Sequence, residues 1–529
     1  MPNDCISYQK SGYFSPLMND YLDQKTNLHS LYNRFPTLEN FEAQIIEKQE
    51  NFDHNHRAGL VTVLQKQYEG IEQSHLTQQN IESLKVNNTF TVTTGHQLIL
   101  FSGPLYFLYK IISTINLTSE LKVKYPAYNF VPVYWMATED HDFEEINYFN
   151  FKGKKFRWNK ESSGPVGRLS TEGLDDFFEI FEQELGSSTN AEKLKKLFQE
   201  AYLNHNNLTD ATRYLANSLF GTQGLVIIDG DNTSLKQLFA PYIKEELLHQ
   251  TAYKKVVETT EKLTKYFIQV NPREINLFYI EDKLRERIIY QDGKYLVNNS
   301  KIEFSEKEIL ALLETNPEKF SPNVITRPLY QEVLLPNLCY IGGGGEIAYW
   351  LELKSFFDAV KISFPMLLVR NSVLLATEKQ HKKANNLDLS WTDLFTKQNI
   401  LINNKAKILS EIDIDLSHLK EQLQTQFNIL NDIINKTDPS FAGAVKAQEV
   451  KQTKGLDKLE KRLLKAEKIK LKDTLNRITD LQNELFPNQG LQERQANFSE
   501  FYIESGEHLI PKLIETLKPL EQKFDIIIL

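Results

Sequence analysis

Two stretches decide the fold: FTVTTG (Phe90–Gly95) and NFVPVYWMA (Asn129–Ala137), with PLYFLYKIISTINLTSELK (Pro104–Lys122) between them. Both outer stretches are apolar and rich in β-branched or aromatic residues, as buried strands are. In the middle segment Leu105, Leu108, Ile112 and Ile115 recur at helical spacing, and Pro104 stands where proline opens a helix. Strand, helix, strand is the βαβ unit, and its crossover favours a parallel sheet. GLVIIDGDN (Gly224–Asn232) and PMLLVRNS (Pro365–Ser372) read as two more strands of that sheet. The expected fold class is α/β, a doubly wound parallel sheet carrying insertions. NYFNFKGKKFRWN (Asn147–Asn159) reads as a hairpin, as does LFYIEDKLRERIIYQDGKYLVNN (Leu277–Asn299), which turns at Asp292-Gly293.

Further along, the pattern changes. Ile402, Leu409, Leu416, Leu423 and Leu430 recur every seven residues, with Ile412, Leu419 and Ile433 as partners. Such heptads predict a coiled-coil helix. Asp438 and Pro439 supply an N-cap and an N1 proline for a second helix, which carries Leu464, Leu471, Ile478 and Leu485. Together they predict a long antiparallel coiled-coil arm, and its lysine run reads as a solvated face. The domains expected are a helical region over 1–87, a core over 88–400 with insertions near 147–222 and 265–325, an arm over 401–486, and a C-terminal segment over 487–529. That segment returns to the core, with FDIIIL (Phe524–Leu529) as a last strand.

Of 529 residues, 41% are hydrophobic and 25% charged, as in globular proteins. The net charge of −9 argues against a nucleic-acid partner. The two cysteines, Cys5 and Cys339, allow no disulfide framework. With neither a signal peptide nor a spanning run of apolar residues, a cytoplasmic location and no membrane contact are expected.

Ligands of doubly wound sheets bind beyond the carboxyl ends of the strands, and three segments fall there. In TTGHQLILFSGPLYFLYK, Gly95 turns the chain, His96 and Gln97 project from the strand end, and the helix opened by Gly103-Pro104 offers free amides to an anion, with Lys110 two turns in. In TEDHDFEEIN (Thr138–Asn147), Asp140 is expected to cap a helix with Glu144 and Glu145 in its first turn. His141 between carboxylates suits a general base, and Glu139 or Asp142 an ammonium. Adjacent residues point in different directions, so this run does not by itself enclose a metal, and no metal site is expected. The third segment is RPLYQEVLLPNLCYIGGGGEIAYWLELK (Arg327–Lys354). Arg327, Tyr330 and Gln331 are its binding candidates, and Gly342, Gly343, Gly344, Gly345 and Glu346 form a turn into a helix that could cradle phosphate or carboxylate. The turn matches neither Walker A nor GxGxxG. Cys339 reads as a buried strand cysteine, not a nucleophile.

These motifs, TGHQ…SGPLY…YK, VPVYWMATEDHDFEEIN, PEKFSPNVITRPLYQEVLLPNLCYIGGGGEIAYWLELK and DPSFAGAV, resemble the bacillithiol-biosynthesis cysteine-adding family (BshC) in order from about Gly95 to Leu485. The resemblance implies a Rossmann-like core, a coiled-coil arm and a homodimer built through it. It implies a ligase that joins cysteine to glucosaminyl-malate as an amide. Read from the residues themselves, the catalytic candidates are His141, Glu139 and Asp142, joined by Gln97 from the resemblance; amide formation calls for an activated carboxyl, for which ATP or another nucleotide is a candidate cofactor, and no HIGH or KMSKS signature is present. The family often reads TGQQ, whereas His96 holds the first of those polar places here, so Gln97 is the residue carried over. Two alternatives stay open: a non-catalytic dimeric scaffold, and a metal-dependent hydrolase centred on Glu139–Asp142.

Overall fold

The computed structural model describes residues 4–434, 436–438 and 440–529. Five parallel strands make the central sheet: β1 (Thr89–His96), β2 (Asn129–Met136), β3 (Val226–Asp229), β4 (Asn337–Gly342) and β5 (Met366–Val369). Their spatial order is β5-β4-β1-β2-β3. All eight residues of β1 are buried, as befits the central strand of a sheet covered on both faces. β1 and β2 pair without interruption from Thr89 opposite Asn129 to His96 opposite Met136. The Tyr106–Lys124 helix makes the crossover. It opens two residues after Pro104, which instead forms an isolated antiparallel bridge with Asn497.

From β1 the chain steps outward to β2 and β3, then returns to lay β4 and β5 on the other side of β1. The strand order reverses between β1 and β4, and a crevice opens at such a reversal. Below it, Phe90, Val92, Ile341 and Leu368 of the sheet pack with Leu117 and Leu121 of the crossover helix and with Phe41 and Ile45 of the Asn40–Asn51 helix. The N-terminal region is not purely helical. Asp4–Ser7 is a strand paired antiparallel with Lys523–Ile528, the strand expected from FDIIIL. Four residues are too few to show a period-two pattern in the sequence.

Both hairpins form, Tyr148–Phe151 with Lys154–Arg157 and Leu284–Gln291 with Lys294–Val297. In the second, Asp292 and Gly293 have φ of 51° and 78°, the left-handed pair that a tight two-residue turn needs. This hairpin belongs to a five-stranded antiparallel sheet completed by Leu277–Glu281, Glu303–Phe304 and Phe320–Pro322. Cys5 and Cys339 are both free, and Cys339 is buried in β4.

The chain forms two compact units, Met1–Leu374 with Leu491–Ile527, and Leu375–Gly490 with Ile528–Leu529. The second is helical, with helices Gln398–Leu409, Ser417–Ile434, Ser440–Lys470 and Lys472–Leu485. The heptad run is therefore not one helix: it stops at Leu409 and restarts at Ser417, whose amide and hydroxyl both bind the Asp415 carboxylate. Aspartate competes for backbone amides and so favours such a start. Beyond the break, Phe427 is the buried seam residue, between Leu423 and Leu430, while Ile412, Leu419 and Ile433 stay exposed. The antiparallel pairing is fixed by Lys420, which bonds Asp457 and Glu460 at 2.8 and 2.7 Å. Asp438 accepts the Ser440 amide at 2.8 Å, as an N-cap does. Pro439 lies outside the described residues.

Candidate active site

A cavity of about 950 Å³ opens over the carboxyl ends of the strands at the β1/β4 reversal. Gly95, His96 and Gln97 enter it from β1, Trp135 to Asp140 from β2 and the turn after it, and Gly343, Gly345, Glu346 and Tyr349 from the turn after β4. The antiparallel insertion adds Phe278, Arg285 and Arg287. Seven cations line the cavity against four carboxylates, Glu139, Asp140, Glu145 and Glu346. Four of the seven, Arg273, Arg287, Arg327 and Arg494, join no ion pair among the described residues. An acidic chain thus carries a cavity with unneutralised positive charge, the condition for capturing an anion.

At the reversal, Lys110 and Glu346 form a buried pair at 2.6 Å. Lys110 also donates to the Gly95 carbonyl at 2.6 Å. The Glu346 carboxylate accepts from the Gly343 amide and the Tyr340 hydroxyl, both at 2.8 Å. Burial pushes Glu346 up, but Lys110, the Gly343 amide and Tyr340 outweigh it and hold the carboxyl below its usual range. Burial lowers Lys110 despite Glu346. His96 lies against Tyr106 and Phe107 with its Nε2 buried and unpartnered. Burial, then Lys110 and Arg370, push its pKa well down, so the ring is neutral.

At the β2 end, Glu139 bonds Lys236 at 2.5 Å, and Asp231 accepts from Arg168 at 2.8 and 3.0 Å. Burial raises Glu139 against the pull of Lys236. Gln97 donates to Asp140 at 2.9 Å and to Glu145 at 3.0 Å, joining two acidic walls. Arg285 stacks on Phe278 and donates to His141 Nδ1 at 2.6 Å. With Nδ1 accepting, the ring proton sits on Nε2 and no lone pair is left for a substrate proton.

Family comparison covers nearly the whole chain. Residues 1–371 match the model described as "Bacillithiol biosynthesis BshC, N-terminal Rossmann-like domain", and residues 373–529 match "Bacillithiol biosynthesis BshC, C-terminal coiled-coil domain". The chain belongs to the BshC family. A relative from Flavobacterium johnsoniae is 71% identical over 527 residues, covering 100% of each chain. One from Cytophaga hutchinsonii is 37% identical (97% of this chain, 96% of the relative), and one from Bacillus cereus ATCC 14579 is 27% identical (94% and 95%). Each relative carries the name "Putative cysteine ligase BshC".

Within this BshC cavity the fold assembles Gly95, His96, Gln97, Lys110, Glu139, Arg327, Gly343, Gly345 and Glu346. Other expected residues stand elsewhere. Tyr330 is buried beside Trp135, donating to the Gly230 carbonyl at 2.8 Å. Gln331 is buried and accepts from Arg327 at 3.0 Å, so it supports that arginine from behind. His141 stands half-exposed, engaged by Arg285. Asp142, not Asp140, caps the short Phe143–Ile146 helix by accepting the Glu145 amide. The helix start after Gly103 is no anion site: the Leu105 amide bonds the Ala496 carbonyl at 2.9 Å, and Asn497 binds the Gly103 carbonyl at 2.6 Å. Gly342 ends β4, and Gly344 faces Phe14 and Met18. In the glycine turn the Glu346 carboxylate occupies the Gly343 amide, which withdraws that one amide from an anion. Among the described residues no group of three His, Cys, Asp or Glu could hold a metal ion. No helix among them is long and apolar enough to cross a membrane.

Arg273, Arg285, Arg287, Arg370 and Arg494 also line the cavity, and none of them stands in the motifs that mark the site in the sequence. Only Arg370, the residue after β5, carried a signal, since it too ends a strand of the sheet.

Proposed function

We propose that this BshC chain is a cytoplasmic cysteine ligase, joining the cysteine carboxyl to the amine of glucosaminyl-malate, and that it works as a homodimer through its arm. The observation that carries the reading, beside the family, is the set of four cavity arginines without ion pairs among the described residues of an acidic chain. A malyl group brings two carboxylates, and arginine forks match carboxylates in pairs. Asp140 and Glu145, bridged by Gln97, offer acceptors for an ammonium and for sugar hydroxyls.

Amide formation needs a neutral amine attacking an activated carboxyl. The C–N bond forms as the bond from the carbonyl carbon to the leaving group breaks, and one amine proton must depart. Glu139 is the base of this proposal: it lines the cavity, and its burial favours the protonated form it would reach. His141 is a positioning residue that holds Arg285. ATP or another nucleotide is proposed as activator from the chemistry of amide formation alone.

The test is a mass-resolved assay with cysteine and glucosaminyl-malate, with and without ATP. Bacillithiol is the expected product, with AMP or ADP released in the presence of ATP, and no product from intact substrates would refute the ligase. Glu139→Gln is expected to lower turnover about 10²–10⁴-fold. His141→Asn retains an acceptor for Arg285 and should stay within about tenfold of the parent. The reverse ranking would return the base role to His141. Arg287→Met should raise KM for glucosaminyl-malate by about tenfold or more. An unchanged KM would remove that arginine from malate binding.

A further inference from the structure

Four successive glycines after β4 need a cause, and backbone geometry is not it. None of Gly342 to Gly345 has a positive φ. Only at Gly342 would a Cβ be crowded, 3.0 Å from Glu346 Cβ and Tyr340 Cε1. At Gly343 and Gly344 the nearest atoms would stand at 3.5 and 3.4 Å, ordinary contacts, and at Gly345 nothing lies within 4 Å. Gly344 and Gly345 belong to the first turn of the Gly344–Leu351 helix, where each glycine costs up to about 1 kcal/mol against alanine. The Gly343 amide is itself held by the Glu346 carboxylate. What the missing side chains leave is open space.

That space has two sides. Behind the turn lies a second chamber of about 150 Å³, which shares Gln269, Gly343, Gly345, Arg370 and Arg494 with the large cavity. Its other walls set apolar Phe14, Met18, Ala348, Val369 and Leu491 beside polar Tyr13, Ser15, Ser372 and Glu493. Arg370 is neutralised there by Glu493 at 2.7 Å, whereas Arg494 joins no ion pair among the described residues.

We infer that this rear chamber receives the thiol side chain of cysteine, with the glycine turn as its threshold and Arg494 beside it for the amino acid's carboxylate; the inference rests on the ligase reading. A small, soft, weakly polar group suits walls that include a thioether and an aromatic ring. A chamber of this size holds the thiol with room to spare, so its walls rather than its volume select the group, and enlarging it favours a side chain longer by a methylene, a change worth roughly tenfold in selectivity.

Two variants test it. Gly345→Ala puts a methyl into the threshold with no clash and with a gain in helix propensity. It should raise KM for cysteine roughly tenfold while leaving KM for glucosaminyl-malate unchanged. Met18→Ala enlarges the chamber and should shift the kcat/KM ratio of homocysteine to cysteine upward by a similar factor. In an enzyme that ligates, a cysteine KM and a selectivity ratio within about twofold of the parent would overturn the chamber and leave the ligase standing. A rise of both KM values in Gly345→Ala would also overturn it. If the parent does not ligate, equilibrium dialysis with sulfur-labelled cysteine decides. Binding that Gly345→Ala abolishes supports the chamber; binding that it spares, or none by the parent, overturns it.

Discussion

Glu352 shows how one buried carboxyl couples pH to the wall of the cavity. It accepts the amide of Gln269, a residue lining both chambers, at 2.8 Å. Burial lifts its pKa from 4.5 to about 7, with backbone amides pulling the other way. A pKa raised on folding means that the native state prefers the protonated carboxyl. Its contribution to stability is complete below the unfolded value and is lost as pH rises through about 7. Asp525, lifted from 3.8 to about 7 by burial and then by Glu521, acts with the same sign. Melting temperature should therefore fall between pH 6 and pH 8.5, and Glu352→Gln should flatten part of that slope by raising the value at the alkaline end. Scanning fluorimetry across that range checks it, and an unaltered slope would count against Glu352. At this scale the strand-end rule located Gly95, His96, Gln97 and Glu139 from the sequence. It missed Arg273, Arg287 and Arg494 because they reach the cavity from inserted or C-terminal segments whose approach only tertiary packing sets. It also placed an anion at Gly103, since nothing local reveals that the Ala496 carbonyl fills that helix start.

Among the elements, the Asn40–Asn51 helix is tied to the Thr326–Leu334 helix by Lys48 and Glu332, 3.1 Å apart and almost wholly buried. Asn337 and Gln331 complete the Glu332 carboxylate at 2.6 and 3.0 Å. Gln331 in turn accepts from Arg327, so the pair stands two contacts behind a cavity arginine. Removing one partner of a buried pair strands the other charge. Lys48→Met should cost about 3–5 kcal/mol in urea unfolding, and the double variant with Glu332→Gln should recover most of it. A loss under about 1 kcal/mol would mean that Glu332 protonates without penalty. The βαβ unit and both hairpins were legible because periodicity and an Asp-Gly turn are local signals. The strand order was not, because the return from β3 to β4 crosses an insertion with no fixed-length connection. In the arm, seven-residue spacing reads as one helix through Leu416, whereas the helix ends at Leu409 and Asp415 holds the restart at Ser417, and Phe427 takes the seam place expected of Leu419 and Ile433.

For the whole molecule, the arm leaves apolar side chains in solvent that a self-contained hairpin would cover. Ile429 is 60% exposed, Leu459 56% and Ile469 68%. The bonds from Lys420 to Asp457 and Glu460 fix the antiparallel register. Leu419, Ile433 and Val450 are exposed on the same two helices. Large exposed apolar side chains gathered on one element mark association. A second copy of the same hairpin offers the same side chains, as a two-fold dimer needs. Light scattering on the purified chain should give twice the chain mass. Ile429→Glu with Leu459→Glu should give the monomer at unchanged helical content, since neither side chain belongs to the buried seam. If that monomer still ligates at the parent rate, the arm serves assembly and each cavity works alone. A parent chain that is monomeric at micromolar concentration would refute the dimer and leave these side chains to a different partner.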